Sequence, residues 1–334
     1  MKLDTNKAVK SLKYNSVNVP LIGYRCVIET DPGATVTATY GSETVTVMAD
    51  GLGKANLDLR GGKWTIRASK DGLTGPATIY TAPSVFILPV VAVANTAPTS
   101  GVTYKEGLEG VTPQLMRVYG EAISNNNSID DTTDAVWLDC GAESRKISIG
   151  DTMPLSINGS DWAVQVISFN TDDMADQSEY RSTTTGKCGM TLDTVLSIAD
   201  ARMNPSGTAS GGWANTEMRN TTIPEMLATI PTEWQEVMLT RKLANRMGTS
   251  PTLDKLALHD LKGAAFDTVT TSYRFYRNGG DSVRKKKNAT GNIVYWWLRD
   301  AYSSTYFWLV TISGKSNWGD PSTRMYGVVP SFAF

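Results

Sequence analysis

Between Val17 and Ala82, residues of like polarity recur two apart, and glycine-bearing turns break the pattern at intervals of about ten residues. Segments 34–40 (ATVTATY), 43–49 (ETVTVMA), 54–60 (KANLDLR) and 63–69 (KWTIRAS) each read as one strand, with GS, DGLG and GG between them. A period of two places alternate side chains on opposite faces of a sheet. Four such strands with short turns predict a small antiparallel β-sandwich over residues 17–82. Residues 1–16 then form an N-terminal arm. The stretch 83–110, an apolar run mixed with Pro and Gly turns, reads as a connector that contains the domain boundary.

The remainder, 111–334, carries a different pattern. Thr112 is placed to cap a helix whose first residue is Pro113, and Leu115, Tyr119, Ala122 and Ile123 recur at helical spacing until the polar stretch SNNNSIDD. Residues 146–169 predict strands joined by a hairpin at Asn158-Gly159. Short amphipathic helices are predicted at 191–203 and 215–230, the second interrupted before Pro224. The last forty residues return to strands. Helices and strands that do not alternate as βαβ units give an α+β second domain.

Composition removes several function classes. With 32 basic against 33 acidic side chains and a net charge of -1, the chain has no surplus of Lys and Arg for nucleic acid or an anionic membrane. Cys26, Cys140 and Cys188 lie too far apart for a metal knuckle or a disulfide framework, and read as buried free thiols. The only histidine, His259, rules out His-rich metal sites and is expected to be structural rather than part of a nucleophilic triad. Neither a P-loop nor a G-x-G-x-x-G loop occurs. The N-terminus lacks the apolar stretch of a cleaved secretory signal. The run 85–94, interrupted by Pro89, is too short to span a bilayer and reads as buried strand, so no membrane insertion is expected. Asp172, Asp173 and Asp176 read as a solvated or helix-capping turn, and the basic run 284–287 as a solvated loop, with an anion or cell-wall teichoic-acid contact as the alternative.

Aromatic residues crowd the C-terminus. Residues 295–334 hold Tyr295, Trp296, Trp297, Tyr302, Tyr306, Phe307, Trp308, Trp318, Tyr326, Phe332 and Phe334, set among Ser, Asn, Gly and Thr. Rigid amphipathic rings with small polar groups are the residue mix of binding loops. Trp296, Leu298, Phe307, Val310, Val328 and Phe332 are expected in the core. The segments 302–306 and 315–326 are too polar and too interrupted by Gly and Pro to be interior, and are expected on the surface.

Two resemblances follow from these residues. The turn and strand order around Trp64 resembles immunoglobulin-like or carboxypeptidase-regulatory-like modules of phage tail and bacterial surface proteins. From about Gly101 onward the chain resembles a domain of unassigned function common in phage tail and prophage proteins of Firmicutes, related to the C-type-lectin-like and formylglycine-generating-enzyme folds. The marks of that resemblance are IGDTMPLSINGSDWAVQVISFNTDDMAD (149–176), GGWANTEMRN (211–220), TLDKLALHDLKG (252–263), YWWLRDA (295–301) and YGVVPSFAF (326–334). The chain departs from the family pattern at Thr171, before Asp172 and Asp173, and at Asp300.

The resemblance implies a C-type-lectin-like α+β domain in a phage tail receptor-binding protein, similar in design to the variable proteins of diversity-generating retroelements. It implies a scaffold of Trp296, Trp297, Leu298, Arg299, Gly314, Gly327, Val328 and Pro330. It also implies a displayed, ligand-binding set: Tyr302, Ser303, Ser304, Thr305, Tyr306, Trp308, Lys315, Ser316, Asn317, Trp318, Asp320, Ser322, Thr323, Arg324 and Tyr326. Adenine-directed rewriting of an asparagine codon yields Asn, Tyr, Ser, Thr, Asp and Gly but not Trp, so Trp308 and Trp318 derive from other codons or belong to the scaffold. The implied partners are a bacterial surface receptor, protein or glycan, other tail proteins and further copies of this chain on the virion. No nucleic acid, cofactor or metal is implied.

A bacterial surface adhesin is the alternative. A formylglycine-generating-type enzyme needs a cysteine pair for copper, which Cys140 and Cys188 do not match. A calcium-dependent lectin would carry an E-P-N or Q-P-D signature, and neither occurs.

Overall fold

A computed structural model describes residues 3–14, 17–59, 62–71, 73–74, 78–82, 92–98, 101–139, 144–180, 183–264 and 273–334. The chain divides into two compact units, Met1–Pro89 and Val90–Phe334. Both are built mainly of β-sheet, and the second adds a few helices.

The first unit comprises β1 (Leu3–Tyr14), β2 (Val17–Glu29), β3 (Thr35–Tyr40), β4 (Glu43–Met48), β5 (Lys54–Leu59), β6 (Gly62–Lys70), β7 (Leu73–Thr74) and β8 (Thr78–Ala82). One antiparallel sheet runs β1-β2-β5, and the other runs β4-β3-β6-β7 with β8 also on β6. Ile28, Leu57 and Leu59 from the first sheet and Val36, Ala38, Trp64 and Ile66 from the second share one core, as alternation at period two requires. The DGLG turn is fixed by backbone needs. Asp50 Oδ1 accepts from the N–H groups of Leu52 and Lys54, each at 2.9 Å. A Cβ at Gly53, φ 75°, would meet Thr30 O at 2.1 Å. The supposed N-terminal arm is instead strand β1, paired along β2 from Leu3↔Ile28 to Tyr14↔Val17. Its polar alternation hid it, because a strand in a two-sheet module needs only one apolar face.

The second unit contains β9 (Ala92–Ala94), β10 (Lys105–Glu106), α1 (Pro113–Ser124), β11 (Ala135–Asp139), β12 (Arg145–Ser148), β13 (Thr152–Ile157), β14 (Ser160–Phe169), β15 (Met190–Thr194), β16 (Ala199–Ala201), α2 (Ile223–Thr229), α3 (Thr232–Val237), β17 (Arg241–Leu243), β18 (Thr252–Asp254), β19 (Ala257–Leu258), α4 (Arg274–Arg284), β20 (Trp296–Ala301), β21 (Tyr306–Val310), β22 (Ser316–Pro321), β23 (Tyr326–Val328) and β24 (Pro330–Ala333). Its two larger sheets run β13-β14-β15-β24-β19 and β16-β23-β20-β21-β22. Smaller sheets are β10-β12-β11-β9 and β17-β18.

Helix α1 begins as its sequence dictates. Thr112 accepts from Leu115 N at 3.3 Å, Pro113 opens the first turn, and Leu115, Met116, Tyr119 and Ile123 are buried. The helix lies so close to the first large sheet that side chains are excluded at the contact. A Cβ at Gly189 would stand 2.0 Å from Gly120 O, and one at Gly120 would stand 2.5 Å from the Phe334 carbonyl carbon. The β13–β14 hairpin turns through Asn158 and Gly159, both at positive φ, which suits a tight two-residue turn.

Three expectations are corrected. The connector supplies β9 and β10, whose backbone groups pair with β11 and β12. The helix expected at 191–203 is β15 followed by β16. β15 is inserted between β14 and β24 and is buried along its whole length, so tertiary pairing overrides the helical spacing. The helix expected over 215–230 starts later, as a π-helical turn over Met218–Thr222 that runs straight into α2 through Pro224. The side chain of Cys26, Cys140 and most of the 85–94 run lie outside the described residues. Cys188 is free and buried, and burial pushes its thiol well above the usual range.

Candidate ligand-binding surface

Strand β20 lies inside its sheet, parallel to β23 at Trp296↔Gly327 and antiparallel to β21 from Trp296↔Val310 to Ala301↔Phe307. All six of its residues are buried. Its polar groups are satisfied inside the unit. Trp296 Nε1 donates to Arg284 O at 2.8 Å and Trp297 Nε1 to Ala201 O at 2.9 Å. Arg299 donates to Asp260 Oδ2 at 2.5 Å, Leu258 O at 3.2 Å and Ala244 O at 3.3 Å. The WWLR segment is therefore scaffold. Gly314 belongs to it for a backbone reason: at φ 84° its Cβ would stand 2.0 Å from Asp281 O.

Beyond β20 the chain surfaces. Tyr302 is 47% exposed, Ser304 and Thr305 are exposed, and Ser303 is half-buried. Ser303 Oγ accepts from the N–H groups of Thr305 and Tyr306, both at 3.3 Å, so the turn is held from within. Along β21, half-buried Tyr306 and Trp308 alternate with buried Phe307 and Leu309. Trp308 packs on the cluster of Trp296, Leu298 and Val310, and Tyr302 meets it edge-on with centroids 5.4 Å apart at 89°. A second segment braces the turn from outside: Ser304 O accepts from Ala209 N at 2.7 Å and from Thr208 Oγ1 at 3.4 Å.

The chain returns to this end of the sheet after β22. Ser322 N donates to Thr305 O at 3.3 Å, and Ser322 O accepts from the N–H groups of Met203 and Asn204, each at 2.9 Å. Ser322 is fully buried and thus leaves the displayed set: its position is fixed by these backbone bonds. Thr323 and Arg324 next to it are exposed.

Lys315, Ser316, Asn317 and Tyr326 do not join this group. Lys315 and Ser316 lie at the opposite end of the sheet, where Thr311 N bonds Lys315 O at 2.8 Å and Val310 pairs with Ser316. Asn317, exposed, follows them on β22. Tyr326, half-buried, is also at that end, against Tyr295 at 5.5 Å and Trp297 at 4.9 Å. The side chains of Trp318 and Asp320 lie outside the described residues. The displayed set left out exposed Tyr295, Ile312 and Met325, which flank the polar turns. It also passed over the 204–210 segment, whose only signal was its Asn, Pro, Ser, Gly and Thr content.

Behind the surface lie two buried ionic clusters. His259 has no exposed surface, and its Nε2 stands 3.2 Å from Asp193 Oδ2. Lys286 Nζ bonds the same oxygen at 3.0 Å and Thr194 O at 2.8 Å, and the Tyr276 hydroxyl donates to it as well. Burial works against the Asp193 charge, but Lys286 and the hydrogen bonds from His259 and Tyr276 overcome it and hold the carboxyl down at about 2. Burial lowers the His259 pKa, and its ring sits edge-on to Tyr273, Tyr276 and Trp296. This is a structural histidine.

The run at 284–287 is corrected accordingly. Arg284, the last residue of α4, and Lys286 are buried while Lys285 and Lys287 face solvent; Arg284 donates to Ala264 O and Tyr276 O, and Lys286 to Asp193 and Thr194 O. Asp172 is corrected too. It accepts from Arg241 at 3.1 Å, Thr191 at 2.9 Å and Tyr273 at 2.8 Å; burial opposes its charge, but Arg241 and these hydrogen bonds keep its pKa low. Asp173 pairs with Lys187 at 2.6 Å, and Asp176 accepts from Ser178 N at 2.8 Å as a helix cap. Asp300 accepts from Leu261 N at 3.0 Å, and burial next to Asp260 lifts its pKa to about 6.

Among the described residues no group of three or more His, Cys, Asp or Glu side chains could hold a metal ion, and no helix is long and apolar enough to cross a membrane. No family model, no curated protein and no solved structure matches the chain.

Proposed function

We propose that this chain is a receptor-binding protein of a phage tail, with a C-type-lectin-like second domain that recognises a ligand on the bacterial surface. The first unit serves to attach it to other tail proteins, and several copies on one particle add avidity to a weak single contact. The observation that carries the reading is Tyr302. This large ring stands about half in water on a turn locked by Ser303, Ala209 and Ser322, edge-on to Trp308, above a strand buried throughout. A rigid, exposed aromatic residue ringed by Ser and Thr is suited to a protein or glycan partner, since interface energy concentrates in a few Tyr, Trp and Arg side chains. Rewriting of codons over 302–326 by an error-prone reverse transcriptase fits the residue mix there. The chain is read as a binder and not as an enzyme.

Adsorption of the purified protein to host cells tests this. Tyr302→Ala and Tyr306→Ala together are expected to abolish adsorption while leaving the unfolding transition in place. Unchanged adsorption by that variant, or labelling on the bacterial surface but never on virions, would overturn the tail reading. Sequencing the 295–334 coding segment in related phage genomes tests diversification: a neighbouring reverse transcriptase gene and a near-copy differing at adenines is the expected result.

A further inference from the structure

A cleft of about 330 Å³, lined by none of the residues of the displayed turn, is walled by residues 170–173 after β14, Lys242 on β17, the 260–263 segment after β19, and Tyr273. It falls at the small end of the size range of ligand pockets, roughly 300–1,000 Å³, which suits one compact ligand. Its floor is rigid. Asp172 is fixed by Arg241, Thr191 and the Tyr273 hydroxyl, and Asp260 by Arg299 and by the Gly263 N–H at 2.5 Å.

The lining points to the chemistry of the occupant. The lining carries both signs of charge: Asp173 is joined to Lys187 at 2.6 Å, and Lys242 and Lys262 line the cleft together with Asp130 and Asp260. Four of the carboxylates are already in ion pairs, Asp131 with Arg277, Asp172 with Arg241, Asp173 with Lys187 and Asp260 with Arg299. With both signs of charge on the lining, neither an anion nor a cation meets a field of one sign. A cation would have to displace an arginine, or Lys187, from one of these four carboxylates. A hydroxyl group both donates and accepts, so adjacent hydroxyls on one ring can bridge from ammonium to carboxylate round such a rim. The Tyr273 ring adds an apolar wall, and its oxygen has acceptor capacity left after donating to Asp172.

We propose that this cleft is a second binding site, which takes one uncharged sugar residue of a cell-surface glycan. The proposal rests on the receptor-binding reading and gives it a glycan component separate from the displayed aromatic turn. Asp173 and Lys242 are exposed and can be changed without disturbing the floor.

Saturation-transfer NMR on the full chain provides the test, with methyl glucoside, methyl galactoside and N-acetylglucosamine as neutral probes and glucuronate and glucosamine as charged ones. At least one neutral probe is expected to receive saturation. Its affinity should fall about tenfold in Asp173→Asn/Lys242→Ala, the size expected from losing one or two hydrogen bonds. It should also fall in Tyr273→Phe and stay unchanged in Tyr302→Ala. The proposal is overturned if no neutral probe is saturated, if only a charged one is, or if the Asp173→Asn/Lys242→Ala protein binds as the parent does. In those cases loss of cell adsorption by the Tyr302→Ala/Tyr306→Ala protein would leave the receptor-binding reading standing without this site.

Discussion

Lys286 Nζ lies 3.0 Å from Asp193 Oδ2, with the two side chains 2% and 0% exposed. One comes from a basic run, the other from a strand enclosed between β14 and β24, and neither charge can reach water. Replacing Lys286 by Met should therefore cost about 3–5 kcal/mol, the usual penalty for leaving one buried charge without its partner. Adding Asp193→Asn to Lys286→Met should recover part of the loss. Denaturant unfolding of the single and double variants checks this.

Acid should weaken the same pair. Asp193 has its pKa depressed from 3.8 to about 2, so its contribution is present at pH values above its unfolded pKa and is lost as pH falls through its folded pKa. The contribution is roughly 2 kcal/mol and fades between about pH 4 and pH 2. Urea unfolding across that window should show a steeper loss of stability for the parent than for Asp193→Asn.

Asp300 should behave in the opposite sense. Its pKa is raised from 3.8 to about 6, so the stability it contributes is fully present below its unfolded pKa and is lost as pH rises through its folded pKa. Asp300→Asn keeps an acceptor for the Leu261 N–H. It should thus gain stability relative to the parent on going from about pH 4 to pH 7, by roughly 1–3 kcal/mol. Paired melting curves at the two pH values decide it.

The displayed turn and its support should separate in mutagenesis. Tyr302→Ala and Arg324→Ala should each leave stability within about 1 kcal/mol, as surface changes do. Trp308→Ala should cost roughly 2 kcal/mol or more, because that ring packs on Trp296 and Leu298. Adsorption and unfolding measured on the same proteins distinguish lost contact from lost fold.

The contact between α1 and the sheet leaves no room for growth. Gly189→Ala should destabilise the second unit by roughly 2–3 kcal/mol, since its Cβ would stand 2.0 Å from Gly120 O in backbone that cannot move alone. A thermal melt should show the second unit's transition lowered and the first unit's unchanged.

What was legible in the sequence was local. Strands β3 to β6 were visible because a half-buried strand writes its two faces into alternate residues, and α1 because Thr112 and Pro113 satisfy a helix start that any chain must solve. The buried scaffold of Trp296 and Phe332 and the exposed Tyr302 followed from aromatic residues set against polar turns. Burial of polar residues was not legible. Lys286, Asp172 and Ser322 have the composition of surface positions, and what takes them inside is a partner distant in sequence: Asp193, Arg241 and the Met203 and Asn204 N–H groups. The division of the displayed set between two ends of a sheet was hidden for the same reason, because strand order and crossover direction are set by pairings between remote segments. Sequence by itself determined where local backbone needs are met. Tertiary structure decided which polar groups could give up water, since that requires a remote group to replace every hydrogen bond and charge lost.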